Sequence, residues 1–241
     1  MSGEKVPLAV PVVTLDGWSG SGKSTLARAL ARRLGWTYLD SGAWYRALAW
    51  AVLREGSDPA DGKQALATLF RIRLDADASG TVSVDGRALS SELRSPRMDR
   101  AVSQVADHSA VRAALNERMR ARAQRAAGGL VADGRDAGSV IFPEANLKVF
   151  VAAALEERAR RRAEQRGEDP VLVLAELAER DRRDGARGAS APRAAQAEQV
   201  LENETLTVEE AVGSLLAWIA AKGLVQAARS GSRLPPEVPP S

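Results

Sequence analysis

The stretch Gly17-Trp-Ser-Gly-Ser-Gly-Lys-Ser24 decides how this chain folds. It fits the pattern G-x-x-x-x-G-K-[ST] of a phosphate-binding loop. Its flanks supply the context that the pattern needs. Val10-Pro-Val-Val-Thr-Leu-Asp16 is a short β-branched apolar run, which reads as a buried strand. Thr25-Leu-Ala-Arg-Ala-Leu-Ala-Arg-Arg-Leu34 sets Leu26, Ala27, Leu30, Ala31 and Leu34 on one helical face. Strand, glycine loop and helix in that order predict inward-turned N–H groups that cradle phosphate at a helix N-terminus. Gly17, Trp18, Ser19, Gly20, Ser21, Gly22, Lys23, Ser24 and Thr25 are the expected triphosphate contacts. Lys23 is placed to reach the β- and γ-phosphates, and the Ser24 hydroxyl to hold Mg²⁺.

The chain has 241 residues, enough for one α/β domain with insertions and a sizeable core. It has no cysteine, so a disulfide framework and a thiolate metal site are excluded. The N-terminus lacks a basic-then-apolar signal, and no apolar run approaches a membrane span. A soluble cytoplasmic protein is the expectation, and nothing suggests obligate assembly beyond a monomer. The formal net charge is +3, and 29 of the 34 cations are Arg. Arginine forks suit phosphate, so a nucleic-acid binder is a rival. However, 31 acids are interspersed and aromatics make up only 4%, too few for a base-stacking platform. Nucleic acid is therefore not expected as a partner.

Trp36 to Leu39 reads as a second strand, and Asp40-Ser41 as the cap of a helix carrying Arg46 near its start. That end of a strand in an open sheet is where ligands sit, so Arg46 is a candidate grip on a second anion. Lys63–Phe70 reads as a short helix. Alternation over 71–75 and 81–84, with turns at 77–80 and Asp85-Gly86, predicts a small inserted antiparallel sheet within 56–92. Residues 95–128 read as two Arg-rich helices broken at His108, which we take as structural. Leu130-Val-Ala-Asp-Gly-Arg-Asp-Ala-Gly138 ends an apolar strand in Asp133, the position from which an acid assists Mg²⁺; a turn held by its own Asp side chains is the alternative. Leu147–Ala152 is another buried strand. Residues 156–193 hold ten Arg and nine acids, either a salt-bridged helix pair or a mobile lid that closes on the phosphoryl group. Gln199–Leu201 is a weak last strand, and Thr207-Val-Glu-Glu opens a helix with a capping box. Residues 230–241 form a disordered tail by composition.

Several of these stretches together resemble the bacterial cytidylate kinases, within the nucleoside monophosphate kinases. They are Leu15-Asp-Gly-Trp-Ser-Gly-Ser-Gly-Lys-Ser-Thr25, Leu39-Asp-Ser-Gly-Ala-Trp-Tyr-Arg-Ala47, Val131-Ala-Asp-Gly-Arg-Asp-Ala-Gly138, Ile141-Phe-Pro143, Glu156-Glu-Arg-Ala-Arg-Arg-Arg162 and Glu179-Arg-Asp-Arg-Arg-Asp184, with Arg187 beyond. The resemblance covers about residues 8–220. It implies a P-loop kinase fold: a parallel sheet flanked by helices, a small β lobe at about 62–92 and an Arg-rich helical lid at about 156–190. The core is then about 8–55, 95–155 and 195–229. The implied reaction is phosphoryl transfer from ATP, with Mg²⁺, to CMP or dCMP. Ser41 and Asp184 resemble the sugar contacts, and Arg46, Arg135 and Arg180 the arginines around the α-phosphate and sugar. Ser103, Arg112, Asp136 and Arg187 resemble the group that reads cytosine. Lys23, Arg135 and Arg180 are the implied catalytic cations.

Hydrogen-bond chemistry agrees with that assignment. Cytosine offers an amino donor to a carboxylate such as Asp136, while Arg112 and Ser103 can donate to the ring nitrogen and carbonyl. Uracil reverses the first pairing. The alternatives are a kinase for another acceptor, such as UMP, AMP or a small hydroxy metabolite, or a regulator that merely holds ATP. Trp18 stands where the family usually has Pro, residues 194–205 match its Asp/Thr/Ser-rich strand end poorly, and the Pro-rich tail has no counterpart.

Overall fold

The computed structural model describes residues 10–93 and 95–224. The expected tail at 230–241, and the outermost ends of the expected core at 8–9 and 225–229, lie outside the described residues. Strand β1 (Val12–Asp16) is the centre of a five-stranded parallel sheet with β2 (Thr37–Asp40), β6 (Leu130–Gly134), β7 (Leu147–Ala152) and β8 (Gln199–Glu202). The order is β2-β6-β1-β7-β8. Helices cover both faces, which is why β6 is buried at all five positions and reads as a nearly unbroken apolar run. The register pairs Asp40 with Asp133 and Asp16 with Gly134. The polar ends of β2, β6 and β1 therefore emerge together at the carboxyl edge, where open α/β sheets bind ligands.

Helices α1 (Lys23–Leu34) and α8 (Val208–Ala221) cover one face, with Leu26, Leu30, Leu215 and Ile219 against Val13, Leu15 and Val149. The capping box of α8 is present: Glu210 N–H donates to Thr207 Oγ1, and Thr207 N–H to Glu210 Oε2. The other face carries α2 (Ser41–Arg54), α4 (Pro96–Asp107) and α5 (Ser109–Ala123), packed through Leu48, Val52, Val105 and Leu115. His108 sits at the break between α4 and α5.

Between α2 and α4 the chain makes α3 (Gly62–Arg71) and an antiparallel sheet of β3 (Leu74–Ala76), β4 (Val82–Val84) and β5 (Arg87–Ala88). Asp85 (φ 53°) and Gly86 (φ 83°) both adopt the left-handed conformation that a tight hairpin demands, as the Asp-Gly pair foretells. This insertion shares the main core: Leu69, Ile72, Leu74, Val82 and Val84 join the cluster of Leu48 and Leu115. Arg118 of α5 fastens it further, donating to the carbonyls of Leu69 (2.6 Å) and Ile72 (3.1 Å).

The last unit is a hairpin of α6 (Leu155–Arg166) and α7 (Pro170–Gly185). It has its own small apolar seam of Ala159, Ala163, Val173 and Leu177. Several of its links to neighbouring elements are ionic or polar, among them Arg158 to the Ser19 carbonyl and Arg162, Arg166 and Arg180 to Asp99. No helix among the described residues is long and apolar enough to cross a membrane.

Candidate active site

The loop between β1 and α1 places Gly20 (φ 82°) and Gly22 (φ 88°) in the left-handed region, which only glycine enters at little cost. Side chains hold the loop from outside. Arg158 Nη1 donates to the Ser19 carbonyl (3.0 Å), and Asn203 Nδ2 to the Ser21 carbonyl (2.8 Å). Lys23 folds back over the loop, with Nζ donating to the Trp18 carbonyl at 2.9 Å. Burial pushes this ammonium down to about 7, and the nearby Arg135 charge acts the same way. An ammonium so placed is stabilised by an arriving polyanion.

Asp133 emerges from β6 directly opposite the start of α1. Its Oδ2 accepts from Ser24 Oγ (2.6 Å) and its Oδ1 from Tyr38 Oη (2.8 Å). Burial raises this carboxyl to about 7, and the Asp40 charge adds to the rise. A hydroxyl and a carboxylate beside a phosphate cradle fit Mg²⁺, which keeps water and phosphate oxygens as its remaining ligands. No cluster of three or more His, Cys, Asp or Glu that could form a protein-only cage occurs among the described residues.

From this loop a cleft of about 180 Å³ runs toward α4 and the hairpin. Ser41, Arg46, Ser103, Arg112, Arg135, Asp136, Arg180, Asp184 and Arg187 all line it, together with Ser19, Gly20, Lys23, Ser24 and Asp133. Gly17, Trp18, Ser21, Gly22 and Thr25 are not among the lining residues. Seven cations line the cleft against four acids, so it is built for anions.

Arg135 and Asp136 hold their place because Asp16 at the end of β1 accepts from the N–H groups of Ala137 (2.7 Å) and Gly138 (2.8 Å). Arg135 Nε donates to Asp184 Oδ2 (2.8 Å), and Arg187 reaches the other oxygen of the same carboxylate. Arg187 also donates to Asp107 (2.9 Å), and Arg112 Nη1 to the carbonyls of Ala106 (2.7 Å) and Asp107 (3.0 Å). Asp136 is buried with Ser190 as a hydrogen-bond partner. Burial raises its carboxyl above the usual range, although Ser190 and the surrounding arginines oppose the rise. Asp40 caps α2, accepting from the Ala43 N–H at 2.9 Å, and lines the cleft as well.

Residues 13–221 match the family model described as cytidylate kinase. The chain belongs to the cytidylate kinase family. A cytidylate kinase of Nitrosomonas eutropha is 42% identical over 223 residues, spanning 90% of this chain and 98% of that one. A cytidylate kinase of Pelotomaculum thermopropionicum is 41% identical, over 88% of this chain and 96% of its own. A bifunctional pantoate ligase/cytidylate kinase of Synechococcus sp. is 46% identical over 187 residues, which are 73% of this chain and 37% of that larger protein. The fold is also that of a solved uncharacterized protein from Eubacterium ventriosum, at TM-score 0.51 and 12% identity, covering 88% of this chain and 99% of the other.

Several residues of this cytidylate kinase site escape sequence reasoning. Arg162 and Tyr45 line the cleft, yet each sits in a helix whose neighbours carry the same residue types or a core pattern. Asp99, which pairs with four arginines, is one acid in a basic helical stretch. Asn203 lies in the poorly matching segment 194–205, and only the fold shows it seated under the loop. Asn203→Ala frees the Ser21 carbonyl and slackens the cradle. We expect KM for ATP to rise about 5-fold, near the 1 kcal/mol of one buried hydrogen bond, with KM for CMP little changed. Steady-state kinetics with each substrate varied in turn measures both.

Proposed function

We propose that this cytidylate kinase moves the γ-phosphoryl group of ATP to CMP or dCMP in this cleft, giving ADP and CDP or dCDP. The observation that carries the reading is the joining, in one cleft, of the loop's Lys23 and Ser24 with Asp136 and the arginine set. ATP sits with its phosphates on the loop, and Lys23 leaves the Trp18 carbonyl for the β- and γ-phosphate oxygens. Ser24, with Asp133 beside it, would hold the Mg²⁺ that ATP carries, and the ion would supply charge neutralisation at the phosphates. Arg46, Arg135 and Arg180 take the acceptor phosphate, and Ser41 and Asp184 take the sugar. Asp136 accepts from the cytosine amino group, while Ser103, Arg112 and Arg187 donate to the ring. Tyr45, Val102 and Ala106 supply the less polar wall beside them.

Two anions brought into line and neutralised need no covalent intermediate, so positioning and charge do most of the work. The α6–α7 hairpin acts as the lid: Arg162 and Arg180 reach the cleft from its two helices, and closure excludes water. The working unit in this reading is a monomer.

The test is ADP release from ATP and Mg²⁺ with CMP, dCMP, UMP, AMP or no acceptor. Strong signals with CMP and dCMP and weak ones with UMP and AMP are expected. A strong UMP signal would keep the kinase class and overturn the role given to Asp136. Silence with every acceptor would overturn the activity itself.

A further inference from the structure

Four guanidinium groups from three helices converge on one carboxylate of α4. Asp99 Oδ1 lies 3.2 Å from Arg180 Nη1 of α7 and 3.5 Å from Arg46 Nη2 of α2. Its Oδ2 lies 2.9 Å from Arg166 Nη2 and 3.0 Å from Arg162 Nη2, both on α6. The Asp99 side chain is only 14% exposed. Burial favours its neutral form, yet Arg180, Arg46, Arg162 and Arg166 outweigh burial and hold the carboxyl below its usual range. The two oxygens thus serve different groups. Oδ1 holds, at longer range, the two arginines assigned above to the acceptor phosphate. Oδ2 holds, more tightly, the two arginines of α6.

The arrangement is also short of an acceptor. The buried Nε atoms of Arg180 and Arg162 have no hydrogen-bond partner among the described residues, and both side chains line the cleft. Burial, Arg135 and Arg46 push Arg180 down to about 10, as expected for a cation crowded by its own kind. Without the carboxylate, like charges would drive Arg46 and Arg180 apart from each other and from α6.

We propose that Asp99 is a positioning residue for the phosphoryl acceptor: it stations Arg46 and Arg180 where the acceptor phosphate arrives and ties that pair to the closing hairpin. The inference rests on the assignment of Arg46 and Arg180 to that phosphate. An arriving phosphate takes over the long Oδ1 pairs, while Oδ2 keeps Arg162 and Arg166 and so holds the hairpin down.

Asp99→Asn in the full chain removes the charge and keeps the shape. We expect KM for CMP to rise about tenfold and kcat to fall about tenfold, a loss typical of misplaced binding groups. KM for ATP should stay within about twofold, and so should the dissociation constant of cytidine, which has no phosphate to misplace. Arg166→Gln strips a partner from Oδ2 without touching the cleft wall. It should lower kcat/KM for CMP in the same direction, and the double variant should fall less than the sum of the two, as for residues of one network. If Asp99→Asn does not fold, Arg166→Gln carries the test by itself.

Unchanged CMP kinetics in Asp99→Asn would overturn the proposal. So would equal losses in the ATP and CMP KM values, which mean general loosening, or a lower KM for CMP, which means competition with the phosphate. Arg46→Gln measured alongside separates the two levels. No effect on KM for CMP there would overturn the acceptor-site assignment itself. A large effect there with silent Asp99→Asn would remove only the role of Asp99.

Discussion

Asp136→Asn is expected to lower kcat/KM for CMP by about a hundredfold while KM for ATP stays within about twofold. The carboxylate is buried in the cleft wall, held by Ser190 and faced by Arg112, Arg135 and Arg187. A carboxylate there is an acceptor only, and the cytosine amino group is a donor. The amide offers an acceptor and a donor from nearly the same shape, so it no longer refuses the uracil carbonyl. The ratio of CMP to UMP kcat/KM should therefore collapse toward unity, driven mostly by loss of CMP. A pH signature accompanies this. Because burial raises the Asp136 carboxyl, its acceptor form is complete only above that raised value and is lost as pH falls through it. The part of the acid limb of kcat/KM for CMP that Asp136 carries should lie above the ordinary carboxylate range and be lost in the Asn variant, leaving the limbs of Asp133 and Lys23. Profiles of both enzymes with CMP and UMP, run from the ordinary carboxylate range up to neutral pH, measure it. A variant that keeps wild-type discrimination would place the base elsewhere.

How far the sequence reaches into this site depends on whether a residue's function follows from its neighbours in the chain. Lys23 and Ser24 follow from the loop pattern, and Asp133 from an apolar strand that ends in an acid. Asp85-Gly86 names its own turn. The resemblance to a family carries Arg46, Arg135, Asp136 and Asp184 as well, and the fold gathers all of them around one cleft. What no local pattern reveals is pairing across long stretches of chain. Asp99 meets Arg46 of α2 and Arg162, Arg166 and Arg180 of the hairpin only because the fold brings these helices to one carboxylate. Asn203 meets Ser21 only because β8 joins the sheet beside β7. The inserted sheet is a related case. Its alternation foretells strands, but only the packing of Leu69, Leu74 and Val84 into the cluster of Leu48 shows that it shares the main core.

Lys23→Met should cut turnover by about a hundred- to a thousandfold and yet leave the protein at least as stable as the parent. Removing one preorganised donor from a phosphoryl or oxyanion site costs about a hundred- to a thousandfold in kcat, and in the proposed reading Lys23 faces the β- and γ-phosphates as charge builds on the departing ADP oxygen. The folded protein keeps this ammonium dry, with a pKa near 7 where the free side chain has 10.5, because burial and Arg135 disfavour the charge. Between those values the unfolded chain binds the extra proton, so stability rises with pH across that window. At pH 7 the parent therefore carries most of the penalty of a buried charge, and methionine removes it with a side chain of similar length. The variant should melt at or above the parent's temperature at pH 7, and the difference should shrink as pH climbs toward 10. Thermal melts of both proteins between pH 7 and 9.5 decide this (within about the range where the linkage operates). A variant that loses both activity and stability would mean that Lys23 holds the empty loop together through the Trp18 carbonyl. A variant that loses activity alone would mean that the chain tolerates a strained, dry cation because the phosphates of ATP require one.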